Sequence, residues 1–436
     1  MIKILQVRNI DSFVESRRQK TSEKDRKTVQ SILNDVRKNG DSAVKKYERK
    51  FNGRKTSQLR VSAKEIKEAK SRISRKGYKA IGEIISAIEW DQRWLRNLMY
   101  SMPQLTNAWK KSSQLLKEFG YVIKKSLVPI PSVGCYIPGG QARYPSSVAM
   151  SVVPAKFVDV KRIVVVSPPG PDGKIDPLTI AAAKRCGATE IYKVGGAQAI
   201  GALAYGTKSI PKVDKIVGPG GKFVSIAKSL VSDQTAIDMV AGPTELGIIA
   251  DASSDPELIA LDLISQAEHS KDTMCFVITQ SKTVAKQIQK SLEKLIPGTE
   301  RSSIIKESIS KNGFIAVCKN ENKMIELANK IAPEHMELMV KNAKILSRKI
   351  TGAGLLLIGK NTPSAASDYL LGTNHILPTN GFGRTRGGLY VLDFQKIQTV
   401  IESPLDRLDM ISELLKGITD AEGLPNHYKA VKRRLD

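Results

Sequence analysis

The sequence predicts an α/β protein with two incomplete Rossmann-like parallel-sheet domains and a helical N-terminal region. Residues 22–118 have the apolar spacing of helices, whereas short apolar runs alternate with helical stretches from about residue 132 onwards. Strands that alternate with helices form a parallel sheet, because each helix returns the chain to the edge where the next strand starts. In such sheets ligands bind beyond the carboxyl ends of the strands, so we expect the functional residues at that edge.

The N-terminal region is predicted to be helical because its apolar residues recur at intervals of three and four, as they do between residues 29 and 36. Gly40 is expected to end this helix, and Asp41 to cap the next one. Farther along, Trp90 and Trp94 are four residues apart. We expect these two side chains to form part of a buried helix face rather than a surface that stacks on nucleic-acid bases.

Three strand–helix units follow one another between residues 157 and 230. The run KRIVVVS is typical of a strand, Asp176 with the proline after it marks the start of the next helix, and Gly187 marks its end. The runs ATEIYKV and VDKIVG are predicted strands that lead into the helices GGAQAIGALAYG and PGGKFVSIAKSL. Later in the chain Asp255, also followed by a proline, begins another helix, and the predicted strands TMCFVITQ, FIAVC, MELMV and GLLLIG follow.

The composition excludes several classes of protein. No apolar run approaches the ~20 residues of a membrane-spanning helix, and the first residues lack the pattern of a secretory signal, so we expect a cytoplasmic protein. The four cysteines, at positions 135, 186, 275 and 318, form no C-x-x-C pair and are too dispersed for a disulfide framework. We expect them to be reduced thiols in the core.

The chain carries 69 Lys+Arg against 43 Asp+Glu, a net charge of +26, which makes a nucleic acid one candidate partner. Residues 1–130 hold 31 of the basic and 13 of the acidic residues, whereas the remaining 306 residues have a positive surplus of only 8. Because aromatic residues make up only 5% of the chain and it has no zinc-finger or recognisable RNA-binding motif, we interpret the charge as solvated surface rather than a nucleic-acid interface.

Gln266 and His269 are candidates for a metal site. They are three residues apart at the end of a predicted helix, so both project from one face, and zinc accepts imidazole nitrogen and carboxyl or amide oxygen. Asp368 and His427, each in a segment rich in Pro and Gly, are candidate partners. The sequence leaves open whether these residues meet, and a polar helix end at the surface is the alternative interpretation.

Glu334 and His335 form a second candidate pair, at the junction between a helix that Pro333 ends and the predicted strand MELMV. Neighbouring side chains on an extended segment diverge, so these two suit separate proton transfers better than a hydrogen-bonded pair. The alternative interpretation is an exposed polar turn.

Two glycine-rich turns, VGGAQA at 194–199 and VGPGGK at 217–222, each follow a predicted strand and open a helix. This geometry presents backbone N–H groups and a helix dipole to a phosphate group. Neither turn is the complete G-x-G-x-x-G fingerprint, so the residues alone only suggest a dinucleotide. The turn YIPGGQ at 136–141 is a further candidate.

Taken together, these segments resemble the histidinol dehydrogenase family over most of the chain. The motifs that carry the resemblance occur in this order: VGCYIPGG, VGGAQAIGALAYG, DKIVGPG, DMVAGPTE, ISQAEHS, IAPEHMEL, TPSAASDY, GTNHILPT, VLDFQK and AEGLPNH. So many motifs in order are far more specific than any single one. The resemblance implies an enzyme of histidine biosynthesis, a homodimer with one Zn²⁺ per subunit. Such an enzyme oxidises L-histidinol through L-histidinal to L-histidine with two NAD and one water.

The resemblance also implies roles for single residues. It assigns zinc ligation to Gln266, His269, Asp368 and His427, and proton transfer to Glu334 and His335. It assigns NAD contacts to Tyr136, Gln198 and Gly221, and the family commonly has Asn where this chain has Gly221. It assigns substrate contacts to Thr244, Glu422, His335 and the four metal ligands. The family commonly has Ser where this chain has Thr244, which keeps a hydroxyl, so we expect little change there.

On this resemblance, His335 is the base of the alcohol step and Glu334 activates the water that hydrates the aldehyde, while zinc positions the substrate. Another small polar alcohol is the alternative substrate. Glu422 and His427 favour histidinol, because they supply a partner for an amino group and a metal site suited to imidazole.

The resemblance further implies a domain organisation and a dimer. The expected segments are an N-terminal arm 1–25, a first α/β domain 26–135 plus 247–389, a second Rossmann-like domain 136–246 and a C-terminal dimerisation segment 390–436. Because sites of this family combine residues from both subunits, with the C-terminal segment reaching the partner, we expect monomers to be inactive.

Overall fold

The computed structural model describes residues 1–18, 22–53, 58–101, 122–139 and 143–436. These residues fall into two compact units, of which the first lies within residues 1–91 and 130–394 and the second within residues 92–129 and 395–436. The domain boundaries expected from the sequence stay a prediction. Gly140 and Gln141 of the YIPGGQ turn lie outside the described residues.

Strands and helices alternate along most of the described chain. The strands are Lys3–Gln6 (β1), Val122–Pro129 (β2), Ser132–Tyr136 (β3), Arg162–Ser167 (β4), Glu190–Lys193 (β5), Lys215–Val217 (β6), Ala236–Ile237 (β7), Glu245–Ala250 (β8), Met274–Thr279 (β9), Phe314–Val317 (β10), His335–Met339 (β11), Leu355–Ile358 (β12) and Gln395–Glu402 (β13).

The α-helices of the described residues include five before β2, which confirms the predicted helical N-terminal region as far as residue 101; the rest of the predicted region, 102–118, lies outside the described residues. They are Ile10–Arg17 (α1), Glu23–Asn39 (α2), Asp41–Asn52 (α3), Ala63–Ser71 (α4), Arg75–Ser101 (α5), Pro145–Phe157 (α6), Pro177–Cys186 (α7), Gly196–Tyr205 (α8), Lys222–Val231 (α9), Pro256–Ala267 (α10), Lys282–Leu295 (α11), Ser302–Lys311 (α12), Glu321–Ile331 (α13), Ala343–Ser347 (α14), Ser364–Ser367 (α15), Leu405–Ala421 (α16) and Pro425–Lys432 (α17).

Two parallel sheets form the centre of the first unit, which confirms the predicted α/β class. The six-stranded sheet has the order β1-β10-β9-β8-β11-β12, and all its neighbouring strands are parallel. The five-stranded sheet, of order β5-β4-β3-β6-β7, is also parallel. Central strands such as β4 and β8 are buried along nearly their whole length, as expected for sheets that helices cover on both faces.

The predicted helix starts are confirmed where an aspartate precedes a proline. Asp176 is the N-cap of α7 and accepts hydrogen bonds from two backbone N–H groups, and Asp255 does the same for α10. The proline that follows occupies a first-turn position, where a backbone N–H would have no partner inside the helix. Gly187 ends α7 in a left-handed conformation with φ of 104°, also as predicted.

Two expectations for the N-terminal helices are wrong. Asp41 is the first residue of α3 rather than its cap, and its carboxylate accepts hydrogen bonds from the backbone N–H and hydroxyl of Ser209. Trp90 and Trp94 are 71% and 54% exposed. The buried face of α5 contains Ile88 instead, and two positions along a helix rotate the side chain by about 200°, which places Trp90 on the opposite side.

The four cysteines are buried and unpaired, as predicted. Burial raises the pKa of each of these thiols above its ordinary value. None of the helices in the described part of the chain is long and apolar enough to cross a membrane.

The second unit exposes many large apolar side chains. In it β2 and β13 pair antiparallel, and the helices α16 and α17 follow β13. Ile397 and Ile401 on β13, and Met410 and Leu414 on α16, are each more than 60% exposed. Exposed apolar surface of this kind is typical of an interaction face.

Lys228 and Asp238 form an ion pair in the interior of the first unit. Their side chains are only 2% and 0% exposed. Lys228 Nζ also donates to the carbonyl oxygen of Gly218 at 3.0 Å, and Asp238 accepts the Gly218 N–H at 2.8 Å. The pair therefore holds both backbone polar groups of Gly218, which opens the glycine-rich turn between β6 and α9.

Lys228→Met is expected to lower the free energy of unfolding by about 3–5 kcal/mol, because it leaves the Asp238 carboxylate buried without its counter-ion. Urea unfolding followed by circular dichroism measures the change. Lys46→Met is the matched control, since the Lys46 side chain is 64% exposed in its ion pair with Asp35 and its removal should leave the curve nearly unchanged. Superimposable curves for the two variants would contradict the prediction.

Candidate active site

The residues predicted to carry proton chemistry lie at the amino edge of the six-stranded sheet. β8 begins at Glu245 and β11 at His335, and the two strands are parallel neighbours with His335 opposite Leu246. Thr244 and Glu334, directly before these strands, therefore meet although they are 90 positions apart. This edge is opposite to the carboxyl edge where we expected functional residues.

Glu334 is buried at the point where the chain turns from α13 into β11. α13 ends at Ile331, and Ala332 takes a left-handed conformation with φ of 51° before Pro333. Glu334 is only 5% exposed, which excludes the alternative of an exposed polar turn. Its Oε2 atom accepts hydrogen bonds from Thr244 Oγ1 at 2.7 Å and from the N–H of Glu245 at 3.0 Å.

His335 lies between two carboxylates. Its Nδ1 atom is 3.8 Å from Glu334 Oε2, and its Nε2 atom is 3.5 Å from Asp368 Oδ1. Within the described residues neither ring nitrogen makes a hydrogen bond of normal length, although the side chain is buried. The two neighbours thus approach closely without forming a hydrogen-bonded pair, and their use in separate proton transfers stays a prediction.

The charges around His335 decide its titration. Burial lowers the pKa of His335, but the negative charges of Glu334 and Asp368 outweigh burial and raise this pKa to about 9. Burial raises the pKa of Glu334, and the charge of His335 and the hydrogen bond from Thr244 only partly oppose this effect. Burial also raises the pKa of the neighbouring Glu245 carboxyl, to about 8.

Asp368 follows the short helix α15, and imidazole groups surround it. Burial alone would raise the pKa of Asp368, but His335, with smaller effects from His375 and His269, lowers it below its ordinary value. His375 Nδ1 lies 2.9 Å from the backbone oxygen of Asp368, and its Nε2 atom lies 3.0 Å from Ser147 Oγ. His375, to which the sequence assigned no role, therefore holds the backbone at Asp368.

Gln266 and His269 lie at the end of α10, as predicted. Gln266 is buried, and its Oε1 atom accepts a hydrogen bond from Ser364 Oγ at 3.3 Å. His269 lies two residues beyond the helix and is exposed. The charges of Asp368 and His269 act on each other, so Gln266, His269 and Asp368 belong to one region of the first unit.

The described residues include no group of three or more His, Cys, Asp or Glu side chains that could hold a metal ion. Three of the four predicted zinc ligands lie in the first unit. They are the imidazole of His269, the carboxylate of Asp368 and the amide of Gln266. His427 and the predicted substrate contact Glu422 lie in the second unit and are exposed. An imidazole, a carboxylate and an amide oxygen nevertheless suit the ligand preferences of zinc.

The predicted NAD contacts Tyr136 and Gln198 meet at the turn between β5 and α8. The Tyr136 hydroxyl accepts the N–H of Gly196 at 3.1 Å. Gln198 Nε2 donates at 2.8 Å to Glu48 Oε1, which also accepts the N–H of Gly195 at 2.9 Å. No sequence pattern pointed to Glu48, because its contact with Gln198 joins residues 150 positions apart. These residues do lie at the carboxyl edge of their sheet, where ligands were expected.

Gly221, the third predicted NAD contact, lies in the turn between β6 and α9. Gly218 has φ of 109°, and a Cβ atom there would lie 2.2 Å from the backbone oxygen of Tyr136, so this position requires glycine. Gly221 is different. It is the N-cap of α9 with φ of −65°, and a Cβ atom there would have nothing within 4 Å. Gly221 therefore leaves room for a side chain at the N-terminus of α9, three residues after Gly218.

Comparison with known proteins identifies related sequences over nearly the whole chain. The family model described as histidinol dehydrogenase matches residues 15–435. Histidinol dehydrogenase of Methanococcus maripaludis is 42% identical over 411 residues, which cover 94% of this chain and 93% of the relative. That of Bacillus licheniformis is 39% identical over 413 residues, 95% and 94% of the two chains. The crystal structure of histidinol dehydrogenase from Elizabethkingia anophelis superposes with a TM-score of 0.87 at 31% identity, covering 100% of this chain and 98% of that one.

Proposed function

Because this chain belongs to the histidinol dehydrogenase family, we propose that it catalyses the NAD-dependent oxidation of L-histidinol to L-histidine through L-histidinal, in histidine biosynthesis. The observation that carries the proposal is the buried arrangement of Glu334, His335 and Asp368. Two proton-transfer groups lie side by side there, each with an atom free for a substrate. The reaction removes four electrons in two hydride transfers, and each transfer needs a base for an oxygen-bound proton.

His335 is the proposed base of the alcohol step, in which the carbinol carbon gives a hydride to NAD and its hydroxyl gives a proton to the imidazole. Nδ1 and Nε2 are both available for this contact, since neither makes a hydrogen bond within the described residues. A base must be neutral, whereas the carboxylates of Glu334 and Asp368 raise the pKa of His335 to about 9. A cation on Asp368 would cancel part of that negative field and favour the neutral imidazole.

Glu334 is the proposed base of the hydration step. The oxygen of a water adds to the aldehyde carbon, Glu334 takes a proton from that water, and the former carbonyl oxygen gains the proton that His335 took in the alcohol step, which gives the hydrate. The hydrate then loses a hydride to a second NAD and a hydroxyl proton to a base, which gives the acid. Thr244 and the N–H of Glu245 hold Oε2 of Glu334, and Oε1 accepts no hydrogen bond from the described part of the chain. This oxygen is the one we assign to the water.

We further propose that Gln266, His269 and Asp368 hold one zinc ion, with His427 as the fourth ligand. When bound, the zinc would act as a Lewis-acidic template that orients the substrate toward NAD. His269 and Asp368 supply an imidazole and a carboxylate, which zinc prefers, and Gln266 adds an amide oxygen, a less common zinc ligand. All three come from the region around Asp368. Thr244 and Glu422 are the remaining proposed substrate contacts.

NAD is proposed to bind at Tyr136, Gln198 and the turn that ends at Gly221. Gln198 supports this proposal, because its Oε1 atom is buried and has no hydrogen-bond partner within the described residues. The enzyme is proposed to work in the cytoplasm as a homodimer. The exposed apolar side chains of β13 and α16 support the dimer, since a second copy would remove them from water.

A steady-state assay tests the proposed function. Purified enzyme with NAD and L-histidinol should release two NADH per histidinol, should lose activity with a chelator, and should recover it with zinc. A panel of small diols is the control for substrate class. Turnover of a diol without turnover of histidinol would assign another substrate, and activity that survives complete removal of metal would contradict the role of zinc.

His335→Ala should lower the rate of histidinol oxidation about 10²- to 10⁴-fold, because the alcohol step loses its base. The zinc content, measured by atomic absorption, should stay near one per subunit because His335 is not among the proposed ligands. A zinc-free variant would instead make His335 a ligand.

Gly221→Asn should bind NAD about 2- to 10-fold more tightly, since the added amide fits without strain and can make one hydrogen bond to the cofactor. Fluorescence titration with NADH measures the affinity. Gly221→Ala is the matched control, because it adds a Cβ atom without an amide. Equal tightening by both substitutions would show that the amide makes no contact.

A further inference from the structure

Glu245 occupies a position in the site that the proposed reaction does not yet use. It is the first residue of β8, it is buried, and each of its carboxyl oxygens accepts a backbone N–H. Oε2 accepts the N–H of Glu334 at 3.2 Å, and Oε1 accepts the N–H of Asn380 at 3.0 Å. In return, Oε2 of Glu334 accepts the N–H of Glu245 at 3.0 Å. Two glutamates thus exchange hydrogen bonds between side chain and backbone across neighbouring strands.

These reciprocal hydrogen bonds hold residues 332–334, the short connection between α13 and β11. Between the end of α13 and the start of β11, Ala332 has a positive φ, and Pro333 has no N–H to donate. The carbonyl oxygens of Pro333 and Glu334 bond to the N–H groups of Gly354 and Leu355, but the N–H of Glu334 bonds to the Glu245 carboxyl. Glu245 therefore fixes the backbone from which the Glu334 side chain projects.

The same contacts fix the orientation of the Glu334 carboxylate. The N–H of Glu245 and the hydroxyl of Thr244 both bond to Oε2, so the carboxylate cannot rotate without loss of two buried hydrogen bonds. Oε1 is thereby turned away from these donors. An unpaired buried donor or acceptor is costly, so the arrangement is stable only when all of its members are in place.

We propose that Glu245 is a positioning residue that holds Glu334 in the orientation needed to activate water in the second half of the reaction. The inference rests on the proposed function and assigns a role to a residue outside the zinc, NAD and substrate contacts. Burial raises the pKa of Glu245 to about 8, and the nearby charge of Glu334 adds to this effect, while the N–H groups of Asn380 and Glu334 and the positive charge of Arg18 oppose it.

Two substitutions of Glu245 test the proposal in the zinc-loaded, full-length enzyme. Glu245→Gln keeps the size but turns an NH₂ group toward one of the two backbone N–H donors, and Glu245→Asp shortens the side chain so that it cannot reach both. The readouts are the NADH released per histidinol and the aldehyde captured by a hydrazine reagent. The ratio should fall from two toward one, with aldehyde released, because displacement of Glu334 should slow hydration about 10- to 100-fold more than the alcohol step.

Thr279→Val is the matched control for a general loss of stability. It removes a partly buried hydrogen bond, from the N–H of Ser281 to Thr279 Oγ1, at the opposite end of the six-stranded sheet, and should leave the ratio at two. Thermal unfolding shows whether each variant folds. If Glu245→Gln does not fold, the NADH ratio of Glu245→Asp tests the proposal. A folded Glu245 variant that keeps a ratio of two, with both half-reactions slowed equally, would overturn the proposal. A wild-type enzyme inactive on histidinol would overturn the proposed function instead.

Discussion

The parallel pairing of β8 with β11 is the constraint on which the site depends. With His335 opposite Leu246, the residues that precede the two strands come together, and Thr244 and Glu245 reach Glu334. Because side chains alternate between the faces of a sheet, a shift of one residue in this register would turn His335 and Glu245 toward the wrong side. The apolar residues that follow on both strands are fully buried, which makes such a shift very unfavourable. Hydrophobic packing of the strands therefore sets the geometry of the polar groups at their ends.

The two proposed functional regions lie at different edges of their sheets, and one connection joins them. The glycine-rich turns follow the carboxyl ends of strands in the five-stranded sheet, whereas the proposed proton-transfer groups lie at the amino end of a strand in the six-stranded sheet. Segment 238–245 runs from Asp238, which holds Gly218, to Glu245, which holds Glu334. Loop 379–386 makes three hydrogen bonds along this segment. A short segment of backbone, which loop 379–386 holds at three points, thus connects the two regions.

Much of the fold follows from local signals in the sequence, and the arrangement of the site does not. The caps at Asp176 and Asp255 and the strand–helix alternation depend on neighbouring residues, so the sequence predicts them correctly. The prediction that Trp90 is buried was wrong. Periodicity shows that two residues share a face of a helix, but not which face the rest of the fold covers. The motifs identified Glu334 and His335 as a pair, but they did not show that both are buried or that Glu245, 89 positions away, braces Glu334. The contacts of Glu48 with Gly195 and Gln198, and of His375 with Ser147, likewise join residues 147 or more positions apart. No pattern within one segment of a single sequence contains that information.

The four buried cysteines have a consequence for the chemistry of an aldehyde. Thiolates add rapidly to aldehydes to form hemithioacetals, and the nucleophile in that addition is the thiolate rather than the thiol. Burial keeps these cysteines protonated at neutral pH and out of contact with solvent, since each pKa lies above its ordinary value. An aldehyde formed in the site would meet no reactive sulfur from the described chain. In the folded protein none of the four cysteines would therefore compete for an aldehyde by forming a hemithioacetal.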